Sequence, residues 1–271
     1  MEQLTIGRIL RNSAFELFLT FLLLFGVTSI VRWVIGPSPI SRMIPQIQAE
    51  LVIVGAAVGL LIAGLILSPP GRTTGGHMNP AISLAMWRFG VFPRAEVVPY
   101  VVAQLLGSVL GVVIARVVWG PVVAEPPVAY AVLQPGPGWT SATLFVAETL
   151  SMAAIVLLVG VCLAVPRLAP FVPWMVGGAI GVAIAVLGTS TGGSVNPARQ
   201  FGPAVLSGQT RFLWVYLLAP MAGAMLATWI REIVQRRQSV LTHRLCGTHP
   251  DVGLKTPPKL WFYEKGDAHK S

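Results

Sequence analysis

One short phrase occurs twice in this chain and restricts its fold more than any other feature. Gly75-Gly76-His77-Met78-Asn79-Pro80-Ala81 returns 117 positions later as Gly192-Gly193-Ser194-Val195-Asn196-Pro197-Ala198. An Asn followed by Pro is a ready helix start: the Asn side chain caps orphan backbone N–H groups, and Pro suits the first helical turn. Each copy follows paired glycines and lies in apolar surroundings. The recurrence implies an internal duplication built around two helix N-termini.

Composition puts those helix starts in a membrane. Hydrophobic residues make up 54% of the 271 and charged residues 11%, against roughly 25% charged in an ordinary soluble domain. Six stretches, 14–31, 51–67, 97–118, 144–165, 174–187 and 212–230, are long and apolar enough to cross a bilayer or nearly so. The first is too long for the core of a cleaved leader and has no small-residue cleavage site after it, so it reads as a retained span. The expectation is an all-α membrane protein. A transmembrane domain covers 1–234, with repeats at about 12–119 and 141–234, and a basic, mostly irregular tail covers 235–271.

Lys and Arg near span ends favour the cytoplasm. With the N-terminus inside, 14 of the 19 cations fall on the inner side, so both termini are expected in the cytoplasm. The setting expected is a plasma membrane, or the inner membrane of a bacterium. The same pattern accounts for the net charge of +9 and the pI near 10.4. The cations sit in loops and tail rather than on a recognition face, which argues against a nucleic-acid partner and for membrane lipid. Cys162 and Cys246 lack disulfide or metal spacing, and His77, His243, His249 and His269 form no ligand pattern. There is no Ser-His-Asp set, phosphate loop, dinucleotide fingerprint or pair of neighbouring carboxylates. No catalytic residue, metal or cofactor is expected. Glu50 and Glu96, near span entrances, read as solvated.

Each Asn-Pro-Ala element opens about ten mostly apolar residues, which at about 1.5 Å per residue make a helix about half as long as a hydrocarbon core is thick. One copy lies on the inner side and one on the outer. If both dip inward, their N-termini meet near the midplane as a seventh crossing. Irregular backbone at that depth is tolerated only where protein buries it or water reaches it. The approaches 71–76 and 188–193 would supply a ladder of carbonyl acceptors, and Asn79 and Asn196 amide donors. Two positive helix ends disfavour cations and protons. The chemistry this arrangement implies is passage of small, neutral, hydrogen-bonding molecules.

These residues, together with Arg199, Phe201-Gly202-Pro203, Glu16 and Glu148, resemble the aquaporin and aquaglyceroporin superfamily, the major intrinsic proteins, over about 14–230. The resemblance implies a right-handed bundle of six transmembrane helices and two re-entrant half-helices with an inverted repeat, assembled as a homotetramer with a pore in each subunit. Asn79, Pro80, Ala81, Asn196, Pro197 and Ala198 would form the pore motifs. Glu16 and Glu148 have two readings. Buried membrane carboxylates can relay protons; equally, each can accept hydrogen bonds from a re-entrant loop, as their matching places in the two halves and the resemblance favour. His77 either lines the pore or packs, while Met78 and Val195 would form an apolar wall at the midplane.

Arg199, three residues beyond Asn196, shares a helix face with it, and Ile82 takes the equivalent place in the first half. The resemblance puts Arg199 in an outer selectivity filter, with Ile184 where water-selective members commonly have His, Gly193 from the loop, and either Val58 or Gly59 from the second span. None of these is aromatic. Gln200 stands where water channels tend to carry Ser and glycerol facilitators Asp, and Tyr216-Leu217 mixes the two subclasses. The expected function is a channel for water and small uncharged solutes such as glycerol, urea or a neutral metalloid acid. The alternatives are a strict water channel, a coupled transporter and a non-conducting structural membrane protein.

Overall fold

The computed structural model describes residues 5–234 and 239–248. Among the described residues six helical segments are long and apolar enough to cross a membrane: α1 (Ile6–Val34), α3 (Ile47–Leu67), α6 (Arg94–Trp119), α7 (Ser141–Ala164), α8 (Val172–Leu187), which a preceding turn of tighter helix extends back to Ala169, and α10 (Leu213–Val234). Four shorter ones, α2 (Pro39–Met43), α4 (Pro69–Thr74), α5 (Pro80–Arg88) and α9 (Pro197–Ser207), lie between them. There is no strand among the described residues. Spans such as α1 and α7 begin before the apolar stretches in the sequence, because their first turns are polar but capped. Thr5 accepts from the Arg8 N–H at the start of α1, and Thr140 and Thr143 form a capping box at the start of α7.

Six crossings leave both described ends of the bundle on one face, called here the terminal face; the opposite one is the distal face. The spans pair by an inverted symmetry. Helix α1 packs along α6 in the first half and α7 along α10 in the second, while α3 and α8 join the halves. Small residues permit these approaches, as expected where lipid supplies no hydrophobic drive between helices. Gly107 of α6 lies against the backbone of Leu17, Gly223 of α10 against that of Thr149, and Gly59 and Gly177 face each other where α3 crosses α8. Side chains such as Leu60, Leu150 and Val186 point outward and are exposed, as a lipid-facing surface requires.

Both half-helices start inside the bundle. Helix α5 runs from Asn79 to the terminal face, where Arg88 pairs with Glu232 at 2.8 Å. Helix α9 runs from Asn196 toward the distal face and stops at Gly208, whose φ of 72° closes it in the left-handed region.

Two expectations need correction. The approach 71–76 is not all irregular: Ser68 caps a helical turn begun by Pro69 and Pro70, so α4 holds Gly71 and only the backbone from Gly75 onward is free of helix. Glu96 is not solvated. It is 1% exposed and accepts from Asn12 Nδ2 at 3.1 Å, with Arg8 at 3.7 Å. In the tail, 239–248 contains neither helix nor strand, as expected, but it is packed against the bundle. The expectations for 235–238 and 249–271 lie outside the described residues.

Because the α1–α6 approach is backbone on backbone, Gly107→Leu is expected to cost about 2–3 kcal/mol of stability, the upper range for overpacking. Gly64→Leu, where a side chain would meet open space, should cost almost nothing. Thermal unfolding of the detergent-solubilised protein checks the pair; equal midpoints would refute the packing argument.

Candidate functional site

The site is made by two loops whose backbones follow the same unusual path. Gly76 and Gly193 have φ of 63° and 62°, and Met78 and Val195 have φ of 47° and 43°. For a β-branched residue such as Val195 the left-handed region is strained, and it persists only where surrounding bonds over-determine it. Here the determinants are carboxylates. Glu16 accepts from the His77 N–H at 3.0 Å and the Met78 N–H at 2.8 Å. Glu148 accepts from the Ser194 N–H at 3.1 Å and the Val195 N–H at 2.8 Å. Thr74 and Gln104 also donate to Glu16, both at 2.8 Å. A tyrosine completes each loop: Tyr100 donates to the Thr74 carbonyl at 3.0 Å and Tyr216 to that of Thr191 at 2.7 Å. Both glutamates are fully buried and line neither cavity described below.

The two asparagines do more than cap. Asn79 Oδ1 accepts from the Ala81 N–H at 2.9 Å, and Asn196 Oδ1 from those of Ala198 at 2.9 Å and Arg199 at 3.3 Å. Their amide nitrogens reach across the molecule. Asn79 Nδ2 donates to the Val195 carbonyl at 3.0 Å, and Asn196 Nδ2 to the Met78 carbonyl at 2.9 Å. One N–H of each amide is thus committed to fastening the loops together, which leaves one per residue for anything passing. From α6, Ser108 accepts from the Gly202 N–H at 2.9 Å and donates to the Ala198 carbonyl, anchoring α9.

On the distal side of this junction lies a cavity of about 380 Å³ lined by Leu23, Val27, Val54, Val58, Ile184, Gly193 and Arg199. Of the two alternatives from the second span, Val58 lines it. Gly59 does not: it faces Gly177 and borders a groove on the outside of the α3–α8 pair with Leu60 and Trp174. On the terminal side the space narrows to about 20 Å³, among His77, Met78, Asn79, Ile82, Val195, Asn196 and Leu245. Leu23, Ile62, Ile180 and Asn196 border both spaces, so the two lie in line. Arg199 and its counterpart Ile82 therefore face opposite ends of one path. His77 both packs and lines: its Nδ1 meets Ser83 Oγ at 3.0 Å and its Nε2 the His243 carbonyl at 3.0 Å, with its ring against Phe92 and Tyr100.

Sequence reasoning missed the support around Arg199. Its guanidinium donates to the Ala131 carbonyl at 2.7 Å. That carbonyl is brought in by the connection between α6 and α7, where Ala129, Tyr130 and Ala131 all have positive φ. Gln200 staples the same connection. Its Nε2 donates to the Leu133 carbonyl at 2.8 Å and its Oε1 accepts from the Leu133 N–H at 3.0 Å. The departure of Gln200 from either subclass was the available signal.

A membrane bundle with a path between two facing half-helix N-termini defines a channel. The description "Major intrinsic protein" matches residues 4–231. A probable aquaporin, AqpM, from Archaeoglobus fulgidus is 36% identical over 186 residues, 65% of this chain and 74% of its own. Aquaporin-8 from Mus musculus is 34% identical over 193 residues, 66% of this chain and 68% of its own. Among solved structures, the aquaglyceroporin from Plasmodium falciparum superposes with a TM-score of 0.67 at 21% identity, covering 83% of this chain and 96% of that one. The chain belongs to the major intrinsic protein family, whose members are channels and not enzymes.

Replacing Glu148 by Gln would leave the Ser194 or Val195 N–H facing an amide donor in a buried place. The expected cost is about 1–3 kcal/mol, read as a lower thermal midpoint in detergent; an unchanged midpoint would show that the carboxylate does not hold the loop.

Proposed function

We propose that this chain is a passive channel for water and small uncharged solutes of the glycerol, urea or neutral metalloid acid kind, closed to ions and protons. The observation that carries the reading is the distal cavity. Among its described lining residues Arg199 is the only charged one, and Val58, Ile184 and Gly193 present no aromatic wall opposite it. A volume of about 380 Å³ is ample beside the roughly 30 Å³ that one water occupies in the liquid. A solute with a polar edge and an apolar body fits such a wall: the guanidinium donates to the edge while Val58 and Ile184 face the carbon atoms. A fixed cation and two positive half-helix ends at the midplane oppose cations and protons. Glu16 and Glu148, each bound to two loop N–H groups and away from the path, favour passive flow over proton-coupled transport.

The assignment of roles follows the same geometry. Arg199, Ile184, Gly193 and Val58 form the selectivity filter. Asn79 and Asn196, with Pro80, Ala81, Pro197 and Ala198, form the central junction, and His77, Met78 and Val195 line the path beside it. We assign the terminal face to the cytoplasm of a cell's plasma membrane on the distribution of its cations, and the assembly to a homotetramer in lipid on family membership.

Stopped-flow light scattering of proteoliposomes with water, glycerol, urea and a neutral metalloid acid tests the solute class. Glycerol and urea are expected to pass alongside water above the rate of empty liposomes; fast water with both excluded would establish a strict water channel instead. Arg199→Ala, which enlarges the filter, is expected to raise urea and glycerol flux several-fold relative to water. An unchanged ratio would remove Arg199 from the filter.

A further inference from the structure

Beyond α10, residues 239–248 lie against the bundle and reach the path. Residues 239–248 lie across the terminal mouth, fastened at both halves of the repeat. The Leu241 N–H donates to the Leu163 carbonyl near the end of α7 at 3.2 Å, and the Leu245 N–H donates to the Gly75 carbonyl at 3.0 Å. The His243 carbonyl meets His77 Nε2 at 3.0 Å, and the His243 ring packs on those of Phe92 and His77, with centroids at 5.3 and 5.7 Å. Val240, Thr242 and Cys246 are each 5% exposed and Leu245 is 1% exposed, burial foreign to a solvated tail.

Leu245 is the residue that matters. It borders the same space of about 20 Å³ as Met78, Asn79 and Asn196, whereas the distal half of the path opens to about 380 Å³. Its N–H takes the carbonyl of Gly75, next to Gly76, which borders that space. Its side chain offers a passing solute neither donor nor acceptor. An apolar constriction of this kind closes a pore by excluding water rather than by repelling charge. The segment holds its place with few bonds and no covalent link, as a reversible closure requires.

We propose that residues 239–248 are a built-in stopper for the terminal mouth, with Leu245 filling the conduction path and His77 and Gly75 as its docking points. The inference rests on the channel reading above. Two substitutions release the stopper by different means. Leu245→Ala empties the path. Gly247→Val, outside the path, puts a side chain where Gly247, with φ of 73°, lies against the Ala169 backbone, and so undocks the segment.

The full-length chain and both variants are reconstituted after matching their size-exclusion profiles. Undocking is read separately from flux, as labelling of Cys246 by a membrane-impermeant maleimide, with Cys246→Ser as the blank. The expected result is slow labelling in the unsubstituted chain and at least tenfold faster labelling in Gly247→Val. In both variants water and glycerol fluxes should rise several-fold with their ratio unchanged. If labelling rises while the fluxes equal those of an already conducting parent, the stopper is refuted and the channel stands. If labelling rises and neither parent nor variants conduct any solute, both readings fall. Fast labelling of Cys246 in the unsubstituted chain would also overturn the proposal, because the segment would not be docked.

Discussion

A bilayer cannot hydrogen-bond a backbone, so a chain that turns back at the midplane must bring its own acceptors. Here that need is met by two carboxylates, and everything else in the path depends on them. Glu16 and Glu148 each bind two consecutive N–H groups of a loop. That grip holds Met78 and Val195 at positive φ. The resulting turn directs the carbonyls of these same two residues across the molecule, where the opposite asparagine finds them. The junction is reciprocal: each loop supplies an acceptor to the other and an amide to it. Without the carboxylates the turn would relax, the carbonyls would rotate, and the half-helices would lose their alignment.

Helix packing serves the same end. The glutamates reach the loops only because α1 and α7 lie close to the axis, and the close approaches at Gly107 and Gly223 bring α6 and α10 against them. Those two helices then deliver Tyr100 and Tyr216, whose hydroxyls fix the carbonyls of Thr74 and Thr191 at the start of each loop. Small residues at the crossings and large polar ones at the loops are therefore parts of one construction.

How much of this could be read beforehand follows from the range of each interaction. The six spans and two half-helices were legible because apolar length and an Asn-Pro start are local signals. The roles of Glu16 and Glu148 were legible as alternatives, since their places in the two halves match. The partner of an amide nitrogen is not local: Asn79 finds Val195, and no spacing rule announces it. Choosing between Val58 and Gly59 needed the rotation of α3, which a nearly uniformly apolar helix does not betray. Glu96 was misread because its partners, Asn12 and Arg8, lie on another helix. Gln200 could be marked as unusual, but the Leu133 backbone it clasps could not be named. The packing of 239–248 was invisible for the same reason: a stretch within a basic tail read as mostly irregular gives no sign of the surface beneath it.

The two halves also divide what had to stay alike from what was free to differ. Glutamate, tyrosine, Asn-Pro-Ala and the sign of φ match across the repeat, and all of them hold backbone. The residues that differ face the path: His77 against Ser194, Met78 against Val195, Ile82 against Arg199. A change among the first set would misplace a loop buried at membrane depth, where no water can compensate. Among the second set it alters only what the path presents. The frame is thus symmetric by necessity while the lining is asymmetric, with one cation in a cavity of about 380 Å³ on one side and apolar and imidazole groups around about 20 Å³ on the other. Selectivity in such a molecule is carried by few side chains, because the remainder are occupied in keeping the backbone where those few can act.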